Sequence, residues 1–453
     1  MKQIKTAAAR LSLQDARYQK MLDQKVNASS NEKTETVWTT GQEFQFYVPW
    51  LWEDSADPPA EKLHPTRQVV RIAWPKDTLG FTEEFMEAYI RHCVSFAVKD
   101  LVDDMGMYFT CTEDQLKTCQ WDQPTAWRRC NIVQNSCDLP AIAMSGYDGV
   151  IPIEMTMVTK KVFIHHDQES GPTLDWARLP TPGNCIERIK DKVCIHLTPG
   201  CSIHIHIRPE TLPHFDLESF KKMASLLWLA EERLDELYHP IRAASESPLY
   251  RTLRQFSNLA LETNSLAPGL AINHDDILGS LNLAVADRNK LSIIWGTSSC
   301  YELRELLRVH PSVGKHDSPA YNFFNLFFTS AKQTIEFRKM ESTTDAGVVN
   351  AWIEVFLLLA DFSVTSTTTQ FQTILESLSK ANQEYNTWKF LRDVGCNRGA
   401  IEILKRKYLQ ELPSETPRLA PVDATAQPSR RDAIRSGMTK FAAKLAESYS
   451  NTG

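Results

Sequence analysis

Apolar and polar residues alternate with a period of two through much of residues 40–210, which predicts β-strands. The predicted strands lie near 43–48, 67–73, 150–158, 193–198 and 202–208, with helices near 81–103 and 184–191. One apolar and one polar face per strand is typical of an antiparallel sheet whose two faces have different surroundings. The intervening segments do not form a regular βαβ series, so we expect an α+β fold.

After residue 216 the apolar residues recur at the spacing of an α-helix. The predicted helical segments cover 216–239, which Pro240 ends, then 248–262, 273–285, 319–329, 346–362, 369–380, 382–394 and 398–409. Asp345 is a suitable N-cap for the helix that begins at 346. A single strand at 333–340 interrupts this region. The predicted fold therefore joins an antiparallel sheet to a large helical portion.

The two ends of the chain are predicted to lie outside this folded body. A predicted helix at 4–25 leads into a polar linker at 26–36, and a Pro-rich linker at 411–431 leads into a basic amphipathic helix at 430–447. We therefore divide the chain into 1–36, a folded domain at 37–410, and 411–453. Solvated extensions are the expected role of the terminal helices, and contact with a partner or with another copy in a homo-oligomer is the alternative.

Composition narrows the class of protein. The chain is 42% apolar and 23% charged, with a net charge of -6 and scattered Lys and Arg, so no basic stripe favours nucleic acid as a partner. Ten cysteines without an apolar signal-peptide core predict free thiols and a cytoplasmic location. The longest apolar run, Val355 to Ala360, is shorter than the roughly 20 residues of a membrane span.

Three predicted strands, GQEFQF, CSIHIHI and TIEFR, share one pattern of ionisable side chains. In each strand, polar residues two positions apart lie on one face, and isoleucine or phenylalanine residues lie on the other. The polar positions are Glu43 and Gln45, His204 and His206, and Glu336 and Arg338. If the strands belong to one sheet, these side chains converge into a patch backed by a rigid apolar layer.

The chemistry of such a patch suits a metal and phosphate site. Carboxylate oxygens and imidazoles bind Mg²⁺ or Mn²⁺, which keep positions open for nucleotide phosphates, and Arg338 would stabilise charge on a transferred phosphoryl group. Two alternatives stay open. Each strand could be the solvated face of an amphipathic sheet, or His204 and His206 could form half of the zinc site of a hydrolase.

At these residues the chain resembles the amidoligase family, whose catalytic sheet is shared with glutamine synthetase and glutamate-cysteine ligase. The resemblance runs from about 40 to 395. Its ordered motifs are GQEFQF, IPIEM, CSIHIHI, EERLDELYHPIR and TIEFRKMESTTD, followed by a helix that carries Trp352. The resemblance implies that ATP phosphorylates a substrate carboxylate and that an amine attacks the acyl phosphate to give an amide, ADP and phosphate. Amino-acid or peptide-like substrates are expected.

The resemblance also implies roles for single residues. The implied metal ligands, for Mg²⁺ or Mn²⁺, are Glu43, Gln45, Glu154, His204, His206 and Glu336. Glu336 and Arg338 are the implied catalytic pair, and Arg338, His204 and His206 would also contact ATP or substrate. Arg242, past Pro240, would bind a substrate carboxylate or a nucleotide phosphate.

The sequence departs from the family pattern at four positions. Gln45 replaces the second glutamate of the opening motif, and Ser202, Met340 and Ser342 replace a glycine, a histidine and a glycine. A neutral Gln45 predicts weaker metal binding. The departures leave open a degenerate member of the fold that binds nucleotide or substrate without turnover.

Overall fold

A computed structural model describes most of the folded domain. The described residues are 35–58, 67–73, 83–102, 109–111, 130–134, 146–157, 160–167, 171–176, 181–198, 200–210, 216–238, 242, 251–261, 275–279, 281–313, 319–326 and 334–411. The predicted helices at 4–25 and 430–447 and the predicted linkers beside them lie outside these residues.

Ten strands among the described residues form one sheet. They are β1 (Glu35–Trp52), β2 (Val70–Ile72), β3 (Phe109–Cys111), β4 (Cys130–Gln134), β5 (Gly149–Thr156), β6 (Lys160–Asp167), β7 (Gly171–Trp176), β8 (Ser202–Pro209), β9 (Tyr321–Asn322) and β10 (Ile335–Glu341). The main order is β3-β4-β5-β1-β8-β10-β9, with β2 and β6 also paired to β1 and β7 paired to β6. Only β1 with β2 and β3 with β4 are parallel among the named pairs, so the sheet is mostly antiparallel.

The helices follow the same chain order. They are α1 (Glu83–Val102), α2 (Pro182–Lys192), α3 (Leu217–Asp235), α4 (Leu253–Phe256), α5 (Asn258–Leu261), α6 (Val285–Gly296), α7 (Cys300–Leu307), α8 (Ala346–Thr365), α9 (Thr368–Leu378), α10 (Thr387–Asp393) and α11 (Arg398–Glu411). A π-helical turn covers Asp275–Gly279, and 3₁₀ turns cover Pro311–Val313 and Phe324–Leu326. The side chain of Asp345 accepts a hydrogen bond from the Val348 N–H, which confirms the predicted N-cap of α8.

Aromatic and aliphatic side chains join the apolar face of the sheet to the helices. Ile203, Ile205 and Ile207 of β8 are all buried on this face. The Phe337 ring of β10 stacks on Phe356 of α8 with ring centroids 4.0 Å apart. Burying each such side chain contributes about 1.5–3 kcal/mol to the stability of the fold. This layer therefore holds the apolar face of the sheet against α8.

Helix α8 is the one described helix long and apolar enough to cross a membrane by length and composition. However, 78% of its apolar segment is buried inside the protein. It contacts α3, α11 and the sheet, and Trp352 stacks between Tyr238 and Phe356. This is the arrangement of a central core helix.

The predicted mixture of an antiparallel sheet and many helices is confirmed, and several single elements differ. Residues 193–198 were expected to form a strand but make only isolated bridges, Gln68 with Val193 and Tyr47 with His196. The predicted helix at 319–329 is instead the short strand β9 and a 3₁₀ turn. In the described part of 248–262, residues 251–261, the helices are the short α4 and α5, and α10 begins at Thr387 rather than at 382. The spacing of apolar residues does not distinguish a long helix from short helices, turns or a short strand that are buried in the core.

Strand β6 holds two histidines, His165 and His166, in a segment for which the sequence predicted no strand. The His166 Nε2 atom lies 3.0 Å from the Oδ2 atom of Asp361 on α8. The other oxygen of Asp361 accepts a hydrogen bond from the indole N–H of Trp38 at 2.8 Å. The buried carboxylate of Asp361 therefore connects two strands of the sheet to the central helix.

We expect His166→Gln to destabilise the protein more at pH 6 than at pH 9. The hydrogen bond and charge of Asp361 raise the pKa of His166 above its ordinary value. Stability from this pair is therefore complete below the unfolded pKa of about 6.5 and is lost as the pH rises through the folded pKa. Denaturant unfolding at both pH values measures the difference. The matched control is His165→Gln, whose partner Glu35 is exposed; an equal loss at both pH values for His166→Gln would contradict the expectation.

Candidate functional site

Four neighbouring strands, β5, β1, β8 and β10, place the predicted polar residues on one face of the sheet. In the antiparallel register Gln45 lies opposite Glu154, Glu43 opposite His204, and Glu336 opposite His206. Directly opposite residues have Cβ atoms about 4.5–5.5 Å apart, so their side chains meet on the same face. The structure therefore brings these six residues together, and Arg338 joins them through Glu336.

Glu43 lies at the centre of this acidic cluster, which we define as Glu43, Glu154, His204, His206, Glu336 and Arg338. Its Oε2 atom is 3.0 Å from His204 Nδ1, and its Oε1 atom is 3.2 Å from His206 Nε2. Glu336 Oε1 lies 3.5 Å and 3.9 Å from the same two nitrogens. Each imidazole therefore faces two carboxylates.

The donor atoms fit a divalent cation. Ligand atoms of Glu43, His206 and Glu336 lie within 4.8 Å of one another, as do those of Glu43, Glu154 and His204. Two ligands of one Mg²⁺ are at most about 4.2 Å apart, because each is about 2.1 Å from the ion. Small side-chain movements would bring either group to this distance. Glu43 belongs to both groups, so two neighbouring ions could share it.

Burial and mutual repulsion set the electrostatics of the acidic cluster. Burial, and then the neighbouring charge of Glu43, raise the pKa of Glu154 to about 7. Burial alone would raise the pKa of Glu336, but the electrostatic influence of Arg338, and then of His206, lowers it below its usual value. Burial and Arg338 lower the pKa of His204. Three carboxylates thus face one permanent cation, and added positive charge would stabilise them.

Gln45 uses both ends of its amide within the protein. Its Nε2 donates a hydrogen bond to Glu154 Oε2 at 2.7 Å, and its Oε1 accepts one from the Ser202 N–H at 3.0 Å. An ionised glutamate at this position could not donate to Glu154. Gln45 therefore orients Glu154, and its predicted role as a metal ligand remains a prediction.

Three of the departures from the amidoligase pattern belong to one hydrogen-bonded network. Besides the contact between Ser202 and Gln45, the Ser342 hydroxyl donates to the main-chain oxygen of Gln45 at 2.6 Å. Arg242 donates to the Ser202 hydroxyl at 3.2 Å. The hydroxyl of each serine therefore makes a bond that a glycine could not make.

The fourth departure, Met340, lies away from the acidic cluster. A β-bulge between Phe337 and Met340 shifts the pairing of β10 with β8, so that Met340 lies opposite Ile203 on the apolar face. Its side chain is buried in the core. Simple alternation from Glu336 and Arg338 would have placed it on the polar face. Methionine at this position therefore removes no ligand from the cluster.

Arg242 and Arg338 have different surroundings. The Arg242 guanidinium is fully buried and donates to the main-chain oxygens of Cys201 and of Met340, the latter at 2.9 Å. These bonds tie the start of β8 to the end of β10. Arg338 bonds to Glu336 and keeps 23% of its side chain exposed. Arg338 is thus accessible to a phosphate from solvent, whereas the predicted substrate contact of Arg242 would require its buried bonds to rearrange.

Two further residues support the cluster and were missed from the sequence. Asn322 Nδ2 donates to Glu336 Oε2 at 2.8 Å, and the Thr334 hydroxyl lies 3.1 Å from His206 Nδ1. A partner on one ring nitrogen fixes which nitrogen the imidazole presents to a ligand. Asn322 falls in a segment predicted as helical, so its pairing with β10 had no local signal. Thr334 immediately precedes Ile335 in the recognised TIEFR motif.

Comparisons of this chain with protein-family models, with curated proteins and with solved structures give no match. The resemblance to amidoligases therefore rests on the ordered short motifs. The mixed, mostly antiparallel fold and the geometry of the acidic cluster rest on the chain's own residues.

We expect Gln45→Glu to bind Mn²⁺ more tightly but to unfold more easily without metal. The variant adds a carboxylate to the cluster and removes the hydrogen-bond donor to Glu154, a loss of about 1–3 kcal/mol. Mn²⁺ titration and denaturant unfolding in the presence of a chelator measure the two effects. The control, Gln45→Leu, also loses the hydrogen-bond donor to Glu154, adds no charge and should not gain affinity. If Gln45→Glu binds Mn²⁺ no more tightly than the natural chain does, the predicted gain in metal affinity is wrong.

We expect Arg242→Gln to lower the free energy of unfolding by about 3 kcal/mol. Its buried acceptors on β8 and β10 lose a charged donor, and such losses are among the larger single-residue effects. Denaturant unfolding tests this, with Arg208→Gln on β8 as the control because Arg208 is only half-buried. If Arg242→Gln leaves the stability unchanged but weakens substrate binding, the result would instead support the predicted substrate contact.

Proposed function

We propose that this protein is an ATP- and magnesium-dependent ligase that joins a carboxylate to an amine through an acyl phosphate. The observation that carries the proposal is the convergence of Glu43, Glu154 and Glu336 with two imidazoles on one buried face of the sheet, beside the accessible Arg338. Under the same proposal β5, β1, β8 and β10 form a catalytic sheet of the glutamine synthetase and glutamate-cysteine ligase type.

The acidic cluster would hold the metal. Glu43, Glu154 and Glu336 supply hard oxygen ligands, and His204 or His206 supplies nitrogen. A bound divalent cation would offset the charge of the triphosphate and allow it to approach these carboxylates. Burial and Arg338 lower the pKa of His204, which favours the neutral imidazole that a metal binds.

Arg338 would contact the phosphoryl group during its transfer. Its bond to Glu336 orients the guanidinium within the cluster, and part of its side chain is exposed to solvent. A guanidinium in this position stabilises the spread negative charge of the transferred group. The carboxylate and amine substrates of the proposed reaction are amino-acid or peptide-like, and Mn²⁺ could replace Mg²⁺.

A second candidate is a protein of the same fold that binds nucleotide or substrate without turnover. This candidate is favoured by the hydrogen bonds of Gln45, whose amide bonds to Glu154 and to the Ser202 N–H. Glu154 is thereby held by a neutral partner instead of a second carboxylate. A site with one negative charge fewer would bind metal more weakly and could retain binding after losing turnover.

We expect Glu336→Gln and Arg338→Ala each to lower ADP formation at least roughly tenfold without unfolding the protein. Each variant removes charge from the site of phosphoryl transfer, and neither changes the apolar face. ADP release from Mg·ATP, measured over a panel of amino acids and amines, gives the rate, and thermal unfolding verifies the fold. Glu35→Gln, which alters an exposed carboxylate at the start of β1, is the control.

The outcomes separate the alternatives. Unchanged ADP formation in both Glu336→Gln and Arg338→Ala would exclude the proposed site. Binding of Mg·ATP without ADP formation for any substrate pair would favour the second candidate. Stoichiometric zinc in the purified protein would instead favour a hydrolase that uses His204 and His206.

A further inference from the structure

Two exposed aromatic rings lie around one buried arginine, Arg304, and one of them follows strand β9, which pairs with β10. Tyr301 on α7 is 63% exposed, and Phe324 in the 3₁₀ turn after β9 is 44% exposed. The guanidinium carbon of Arg304 lies 4.5 Å from the centroid of the tyrosine ring and 5.3 Å from that of the phenylalanine ring. We call Tyr301, Arg304 and Phe324 the aromatic platform.

Hydrogen bonds of Arg304 and the packing of Phe323 hold the aromatic platform in place. The Nε and Nη2 atoms of Arg304 donate to Glu305 Oε1 at 3.1 Å and 2.6 Å, so the guanidinium has a fixed orientation. The neighbouring Phe323 is buried, with its ring centroid 5.1 Å from that of Phe220 on α3. The turn is therefore anchored by Phe323 while Phe324 keeps much of its ring in solvent. Exposed aromatic surface on a rigid support is a stacking surface for a planar ligand.

One amide links the aromatic platform to the acidic cluster. The Nδ2 of Asn322 donates to Glu336 Oε2 at 2.8 Å, and its Oδ1 accepts the Phe324 N–H at 2.9 Å. Asn322 is also the strand partner of Glu336. Phe324 is two residues further along, a chain distance of at most about 7 Å. A ligand with a charged end at the cluster and a planar ring at its other end would fit this spacing.

We propose that the aromatic platform binds the purine ring of the nucleotide whose phosphates reach the acidic cluster. This inference rests on the proposed use of ATP. A purine presents a larger π-face than a pyrimidine, and the adjacent guanidinium of Arg304 polarises the same stacking surface. Phe324 and Tyr301 are thus specificity-determining residues for the base, whereas Glu336 and Arg338 act at the phosphates.

The experiment compares Mg·ATP with magnesium tripolyphosphate, which has the phosphates without the base, by isothermal titration. Phe324→Ala and Tyr301→Ala are each expected to weaken Mg·ATP binding by roughly five- to tenfold, the contribution of one base–aromatic stacking contact. Tripolyphosphate binding should not change. Phe324→Tyr and Tyr301→Phe, which keep a ring, should retain affinity for Mg·ATP. Phe96→Ala on α1 is the control for loss of an exposed phenylalanine.

Different failures are distinguishable. If Glu336→Gln weakens Mg·ATP binding but the two platform variants bind it as the natural chain does, the proposed function stands and the aromatic platform is not the base site. An equal loss of Mg·ATP and tripolyphosphate binding in the platform variants would also overturn the inference, because it would show a structural effect on the cluster. If the natural chain binds neither ligand, the proposed function itself fails.

Discussion

The pairing of β1 with β8 is the constraint on which the candidate site depends. Glu43 lies directly opposite His204, and the next strand pair places Glu336 opposite His206. Because side chains alternate between faces, a slip of one residue would move the cluster to the apolar side and bring the isoleucines of β8 to the polar side. The buried Ile203, Ile205 and Ile207 therefore specify the register. The packing of α8 on the apolar face thus fixes the geometry of the polar face.

A buried hydrogen-bond network connects the ends of these strands. Arg242, Ser202, Ser342 and Gln45 form a continuous set of hydrogen bonds that ends on Glu154. In the sequence, three of these residues look like separate losses from a family pattern. In the structure they contact one another, so a change at one position alters the surroundings of the others. The network gives these polar residues a structural explanation that holds whether or not the protein turns over ATP.

Buried ionisable groups lie on both sides of the sheet, but their charges are balanced on only one side. On the apolar side, Lys339 is buried and paired with Asp235, and the two charges offset each other. On the polar side, the carboxylates outnumber Arg338, and burial raises the pKa of Glu154 to about 7. The unbalanced charge of the acidic cluster therefore distinguishes this candidate site from the paired charges of Lys339 and Asp235.

The sequence by itself determined the elements whose signals are local. Alternation assigned Glu43, His204 and Glu336 to polar strand faces, and a side chain able to cap a helix located the start of α8 at Asp345. These features depend on residues a few positions apart, which a short stretch of sequence contains.

The tertiary structure alone decided the features that depend on contacts distant in the chain. It placed β5, β1, β8 and β10 side by side, paired Asn322 with Glu336, and moved Met340 to the apolar face through a β-bulge. It also recruited His166 into a strand against Asp361 of α8. Strand order, bulges and ion pairs between distant elements arise from the packing of the whole core, and periodicity within one strand carries no information about them.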